Sequence, residues 1–135
     1  MRRGLSLIIA GAALLAASCE TIENKPTYVG GMWGGEHIGI IFQGGLAEVK
    51  FDCAAGTIDD PIRAADGSFM AKGSYRAGAA GPVRVGQIFR SQRATYSGAI
   101  ARNVITLSVQ LEDDGTTLGP FTLTEGQPPQ ITRCL

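Results

Sequence analysis

The chain has 135 residues, enough for one domain with a short leader but not for two separate cores. Its 12 Lys and Arg balance its 12 Asp and Glu, so no global affinity for a polyanion is implied. Glycine is abundant (19 residues) without a triplet period, which suggests many turns and close backbone approaches rather than collagen or disorder.

The first 18 residues read as a secretory leader. Met1-Arg2-Arg3 is a positive start, and Leu5 to Ala17 is an almost unbroken apolar run. That run is too short to cross a hydrocarbon layer of about 30 Å as a helix. Ala16-Ala17-Ser18 then supplies the small side chains that a signal peptidase holds, and Cys19 follows directly. Leu15-Ala16-Ala17-Ser18-Cys19 resembles the bacterial lipobox, which implies cleavage before Cys19 and acylation of its sulfur. Each buried CH₂ of such chains adds about 0.8 kcal/mol, so two or three chains hold a protein firmly on a membrane. Glu20, standing where some envelope lipoproteins carry a retaining Asp, points to the periplasmic face of the outer membrane. Residues 19–28 are polar, contain Pro26 and read as a lipid-anchored tether to a single domain over 29–135. Removing the leader takes two of the 12 basic side chains and no acidic one, a mild negative charge.

With Cys19 lipidated, Cys53 and Cys134 remain in an oxidising compartment, where one intramolecular disulfide is expected. Metal ligation, which two isolated cysteines and one histidine serve poorly, and a nucleophilic thiol are the alternatives.

From Val29 onward the dominant signal is alternation, the mark of strands with one buried face. Gly44-Gly45 separates His37–Gln43 from Leu46–Cys53, where Ala47, Val49 and Phe51 share a face. Phe69, Ala71, Gly73 and Tyr75 alternate with Met70, Lys72, Ser74 and Arg76. Ala77 to Arg93 lacks a period and reads as a long loop holding one short strand near Val83–Phe89. Arg102-Asn103 joins Thr95–Ala101 to Val104–Glu112, and Asp113-Asp114-Gly115 leads to Leu118–Thr124. Gly126-Gln127-Pro128-Pro129 leads to a last strand over Gln130–Cys134. Eight or nine short strands in meander order, with no helix, predict an all-β fold: a small antiparallel barrel that closes to hide its edges and carries one disulfide. A barrel of eight strands has an interior just wide enough for side-chain filling or for one small ligand.

Two resemblances bear on the fold. Gly31-Met32-Trp33 at the domain's start and Arg133 on the last strand are similar to calycin-type barrels such as lipocalins and avidins. That likeness implies a basic side chain laid over the indole. Trp33-Gly34-Gly35-Glu36-His37-Ile38-Gly39, Phe51-Asp52-Cys53-Ala54, Gly81-Pro82-Val83-Arg84, Tyr96-Ser97-Gly98, Phe121-Thr122-Leu123-Thr124 and Cys134-Leu135 resemble a family of uncharacterised bacterial envelope lipoproteins. The family lends no catalytic residues, and the chain departs from it at Arg76-Ala77-Gly78-Ala79-Ala80, where a more polar stretch is expected.

The chemistry on offer is sparse. His37 is the single histidine, and no Gly-x-Ser-x-Gly or His-Glu-x-x-His motif supplies it with a nucleophile or metal partner. It reads as a hydrogen-bonded residue at the barrel mouth beside Trp33. Asp59-Asp60, Asp66 and Asp113-Asp114 sit at turns, where Asp bonds its own loop, and their spacing matches no calcium loop. Between Gly67 and Leu111 lie Lys72, Arg76, Arg84, Arg90, Arg93 and Arg102 with Tyr75, Phe89 and Tyr96 among them and no acidic residue. The sequence therefore predicts a non-enzymatic envelope module without cofactor or metal. Trp33, His37, Arg84 and Arg133 are its expected contacts with a small molecule or a protein, in the manner of an inhibitor. The alternative is a structural component that holds an anionic polymer or lipid on its Arg-rich face; nucleic acid is not expected at a cell envelope.

Overall fold

A computed structural model of the protein describes residues 11–13, 27–78, 85–86 and 90–134. Cys19, Arg84 and most of the stretch expected as a strand near Val83–Phe89 lie outside those residues. Eight strands follow in chain order: β1 (Gly31–Gly35), β2 (Ile38–Gln43), β3 (Leu46–Phe51), β4 (Ala54–Ile58), β5 (Gly67–Ala77), β6 (Ser91–Ala101), β7 (Val104–Leu111) and β8 (Thr117–Glu125). They form one closed antiparallel barrel in which every strand pairs with its chain neighbour and β8 returns to β1.

The alternation places one side chain in two inside. Ile38, Ile40 and Phe42 of β2, Ala47, Val49 and Phe51 of β3, and Ile105, Leu107, Val109 and Leu111 of β7 are all buried. Closure removes the unpaired strand edges on which sheets aggregate. The seam is thin, however: only Trp33 with Glu125 and Gly34 with Thr124 pair across β1 and β8.

Four expectations are corrected. The strand read over Leu46–Cys53 stops at Phe51, and Asp52-Cys53 is a tight turn with Cys53 at φ 55°. A further strand, β4, follows it; its Ala54-Ala55-Gly56 start carries no apolar alternation and so hides in the sequence. Gln130–Cys134 is not a strand of the barrel but a strap, touching β1–β2 through a single parallel bridge between Glu36 and Gln130. Tyr96 belongs to no surface patch, because it is fully buried.

Tyr96 explains the small residues of β4 and β5. Its ring crosses the interior, and its hydroxyl donates to the Ser74 carbonyl oxygen at 2.7 Å. A Cβ on Gly56 would meet that hydroxyl, and one on Gly73 would meet the ring and the Thr57 carbonyl. Glycine at these two positions makes the space that the phenol fills.

Candidate functional site

The meander puts the β1–β2, β3–β4, β5–β6 and β7–β8 connections at one end of the barrel and the remaining turns at the other. At the first end His37 and Asp52 project from neighbouring turns, and His37 Nδ1 lies 2.5 Å from Asp52 Oδ2. The other carboxylate oxygen, Oδ1, accepts the Thr132 backbone N–H at 2.7 Å. His37, in the left-handed region at φ 68°, donates its backbone N–H to the Gln130 carbonyl, and Gln130 donates to that of Gly35. Cys134 then bonds to Cys53, as the sequence led one to expect. These ties fasten the strap across β1 and β2, with Pro128 over Gly34 and Pro129 seated on Gly39. An ionised Asp52 accepts from His37 Nδ1–H, which leaves Nε2 turned to solvent. Beside it the shallow depression holds Glu36, Gln130, Ile131 and Thr132, and the Thr132 amide is already committed to Asp52. His37 is exposed (61%) and Asp52 half-buried (31%), and the pair acts as a clasp. Among the described residues no three His, Cys, Asp or Glu side chains converge as a metal ion requires.

Beneath the clasp three aromatics face inward. Phe51 packs edge-on to Tyr75 at 5.3 Å between ring centres and tilted against Phe121 at 5.8 Å. Phe51 is buried, whereas Tyr75 and Phe121 are half-buried. Burial raises the Tyr75 phenol above its ordinary 10.0. Burial raises Tyr96 further, with Tyr75 and Asp59 adding to it.

Trp33 faces the opposite end. Its indole Nε1–H donates to the Gly30 carbonyl at 3.1 Å. It lines a cleft of about 230 Å³ with Tyr28, Ala64, Ile100, Arg102 and Glu125. Trp33 and His37 therefore do not share a mouth: the three residues between them, Gly34, Gly35 and Glu36, carry them to opposite ends. Arg133, exposed in the strap between Thr132 and Cys134, is not laid over the indole; the basic residue in the Trp33 cleft is Arg102. The run of cations is divided as well. Lys72 Nζ lies 3.4 Å from Glu112 Oε1 and donates to Thr95 Oγ1, while Arg102 sits at the Trp33 end with its amide on Asp66.

The feature that the sequence reading missed is on the outer wall. A groove of about 470 Å³ runs over β2, β3 and β4, lined by Ile41, Gln43, Leu46, Glu48, Thr57 and Asp59 among others. Ile41 (48% exposed) and Leu46 (58%) form its apolar side. Thr57 Oγ1 donates to Asp59 Oδ1 at 2.9 Å and sits 2.8 Å from Ser74 Oγ, which fixes the opposite wall. The signal available in the sequence was Ile41 and Leu46 themselves, apolar residues on the polar phase of β2 and β3.

No known protein family matches the chain, and no curated protein or solved structure proved similar to it.

Proposed function

We propose that the protein is a non-catalytic module of the bacterial cell envelope, held to a membrane by acyl chains on Cys19, that meets a protein partner on the outside of its barrel. One observation carries the choice of the outside. Ligand pockets run to about 300–1,000 Å³, and this interior is occupied by its own side chains, with Tyr96 laid across it and bonded to Ser74. The leader, the lipobox and the likeness to envelope lipoproteins support the address. His37 has its acceptor in Asp52, which also holds the Thr132 amide, and among the described residues no hydroxyl or thiol is bonded to its ring.

Two measurements test the reading. The wild-type chain should fractionate with membranes, and Cys19→Ala should release it into the soluble exported fraction; an unlipidated wild-type chain overturns the anchor. The soluble Cys19→Ala protein should show no saturable quenching of Trp33 by a fluorescent fatty acid. Stoichiometric quenching at micromolar probe overturns recognition on the outside.

A further inference from the structure

We infer that the groove on the outer wall of β2, β3 and β4 is the docking site for an extended segment of a partner protein in which an apolar side chain stands two residues from a lysine or arginine. The inference rests on the reading above, and it names the surface and the chemistry of its occupant.

Residues on one face of a strand repeat about every 7 Å, and directly paired residues of neighbouring strands stand about 5 Å apart. Ile41 pairs with Glu48, Glu48 pairs with Thr57, and Gln43 pairs with Leu46. Leu46 is thus one pleat from Glu48 on β3, and Asp59 follows one pleat beyond Thr57. An apolar surface therefore adjoins a carboxylate at the spacing at which an extended chain repeats its own side chains. Because the barrel is closed, the partner does not add a strand; it lays side chains on the wall.

Charge selects the occupant. Among the described residues neither Glu48 nor Asp59 is paired with a cation; the ion pairs formed are His37 with Asp52 and Lys72 with Glu112. Asp59 Oδ1 is engaged by the Thr57 hydroxyl, which orients the carboxylate, and Ser74 donates to Thr57 in turn. Lys50, one pleat from Glu48, lines a neighbouring depression with Glu48, Ile41 and Pro129 but not the groove itself, and Lys72, whose carbonyl accepts the Asp59 amide, turns its ammonium to Thr95 and Glu112. Two carboxylates flanking exposed Ile41 and Leu46 favour a cationic, apolar peptide and repel an anionic lipid surface. A lone exposed aliphatic residue carries no message, but two joined across neighbouring strands beside oriented carboxylates form a patch of the kind used for recognition.

The test uses exported Cys19→Ala protein and a ten-residue peptide alternating Lys and Leu, with alternating Glu-Leu and Lys-Ser peptides as references. Amide shifts in nuclear magnetic resonance spectra should gather on Leu46–Glu48 and Thr57–Asp59, for the Lys-Leu peptide alone. Ile41→Ser with Leu46→Ser should weaken binding about tenfold or more. Glu48→Gln with Asp59→Asn should weaken it about three- to tenfold and flatten its salt dependence. Met70→Ser, on β5 outside the groove, should leave it unchanged. Equal binding of the Glu-Leu peptide, or no binding of the Lys-Leu one, overturns the inference. So does association with vesicles of phosphatidylethanolamine and phosphatidylglycerol that the Ile41 and Leu46 changes abolish. Shifts gathering on Arg76 and Arg93 overturn the groove while leaving recognition on the outer wall intact. Shifts gathering on Trp33, Tyr96 and Leu107 overturn both.

Discussion

The two ends of the barrel are closed by different means. At the Trp33 end the loop between β4 and β5 folds inward, Val29 donates its amide to the Ile62 carbonyl, and both side chains are buried as a plug. At the other end Phe51 is buried but Tyr75 and Phe121 are only partly covered, and order is imposed from outside by the strap, the His37–Asp52 clasp and the Cys53–Cys134 bond. The first closure joins Val29 to Ile62 without a covalent bond and is driven by burial. The second ties the chain's tail to a turn 81 residues earlier and depends on a covalent bond. One end resists unfolding because its residues pack; the other does so because its chain is tied.

Breaking the tie should have the largest effect. Across 81 residues the chain-entropy account gives a ceiling of about 4.5 kcal/mol. Cys53→Ser with Cys134→Ser should lose much of that in chemical denaturation. Hydrogen exchange should speed first at the amides of His37, Gln130 and Thr132, which the strap protects. Equal acceleration at Val29 would show that the two ends are one cooperative unit.

Removing the plug should come next. Ile62 is 5% exposed, and Ile62→Ala should cost about 2–4 kcal/mol through lost transfer energy and the cavity left behind. The emission of Trp33 should shift to the red, because water enters beside the indole. The cysteine variant should leave that emission near its native position while it is folded, and this contrast separates the two closures more sharply than stability alone.

How far the sequence disclosed this arrangement depended on whether a residue's role was local. The alternation of Ala47, Val49 and Phe51, or of Ile105 to Leu111, reports directly which face is buried, and the hairpin at Gly44-Gly45 needs two positive φ angles (61° and 82°) that glycine supplies. Strand β4 is hidden because Ala54, Ala55 and Gly56 are small, Gly56 to admit Tyr96, 40 residues later in the chain. The strap reads as a strand because Gln130–Cys134 follows a turn, although Gln130 and Thr132 bond to the ends of strands and turns rather than to a ladder. Trp33 and His37 looked like one site because they are close in sequence, yet a strand at about 3.3 Å per residue separates what a helix would have stacked. The groove escaped because exposure of Ile41 and Leu46 is a property of three strands together.

Tyr96 lies between the two ends and supplies a smaller effect that should ignore the distinction. Its phenol is raised by burial, then by Tyr75 and Asp59. The folded state therefore holds the proton after the unfolded chain has lost it. Stability from this group is whole below pH 10 and falls as pH rises beyond it, by about 1.4 kcal/mol at pH 11 if the folded phenol stays protonated. Denaturation at pH 8 and 11 should show the loss, and Tyr96→Phe should remove most of the slope. A decline equally steep in Tyr96→Phe would assign it to other groups.

The smallest effect returns to the tied end. Asp114, in the β7–β8 turn, accepts the Thr116 backbone N–H at 2.9 Å, and that bond holds its carboxyl below the ordinary 3.8. The sign is that of a depressed acid: the stabilisation is present above the unfolded value and is lost as pH falls through the folded one. Asp114 is fully exposed, so solvent screens the effect and the global midpoint should scarcely move. The place where it acts is more informative than its size. The plug at the Trp33 end is apolar and the Val29 amide bonds the Ile62 carbonyl, which acid does not touch, so on descent from pH 5 to pH 3 the amide of Thr116 should exchange earlier than that of Val29. Asp114→Asn should abolish the early step, because an amide oxygen accepts from Thr116 at either pH. If Val29 loosened together with Thr116 in both proteins, acid would be acting on the whole barrel and the division between a packed end and a tied one would lose its support.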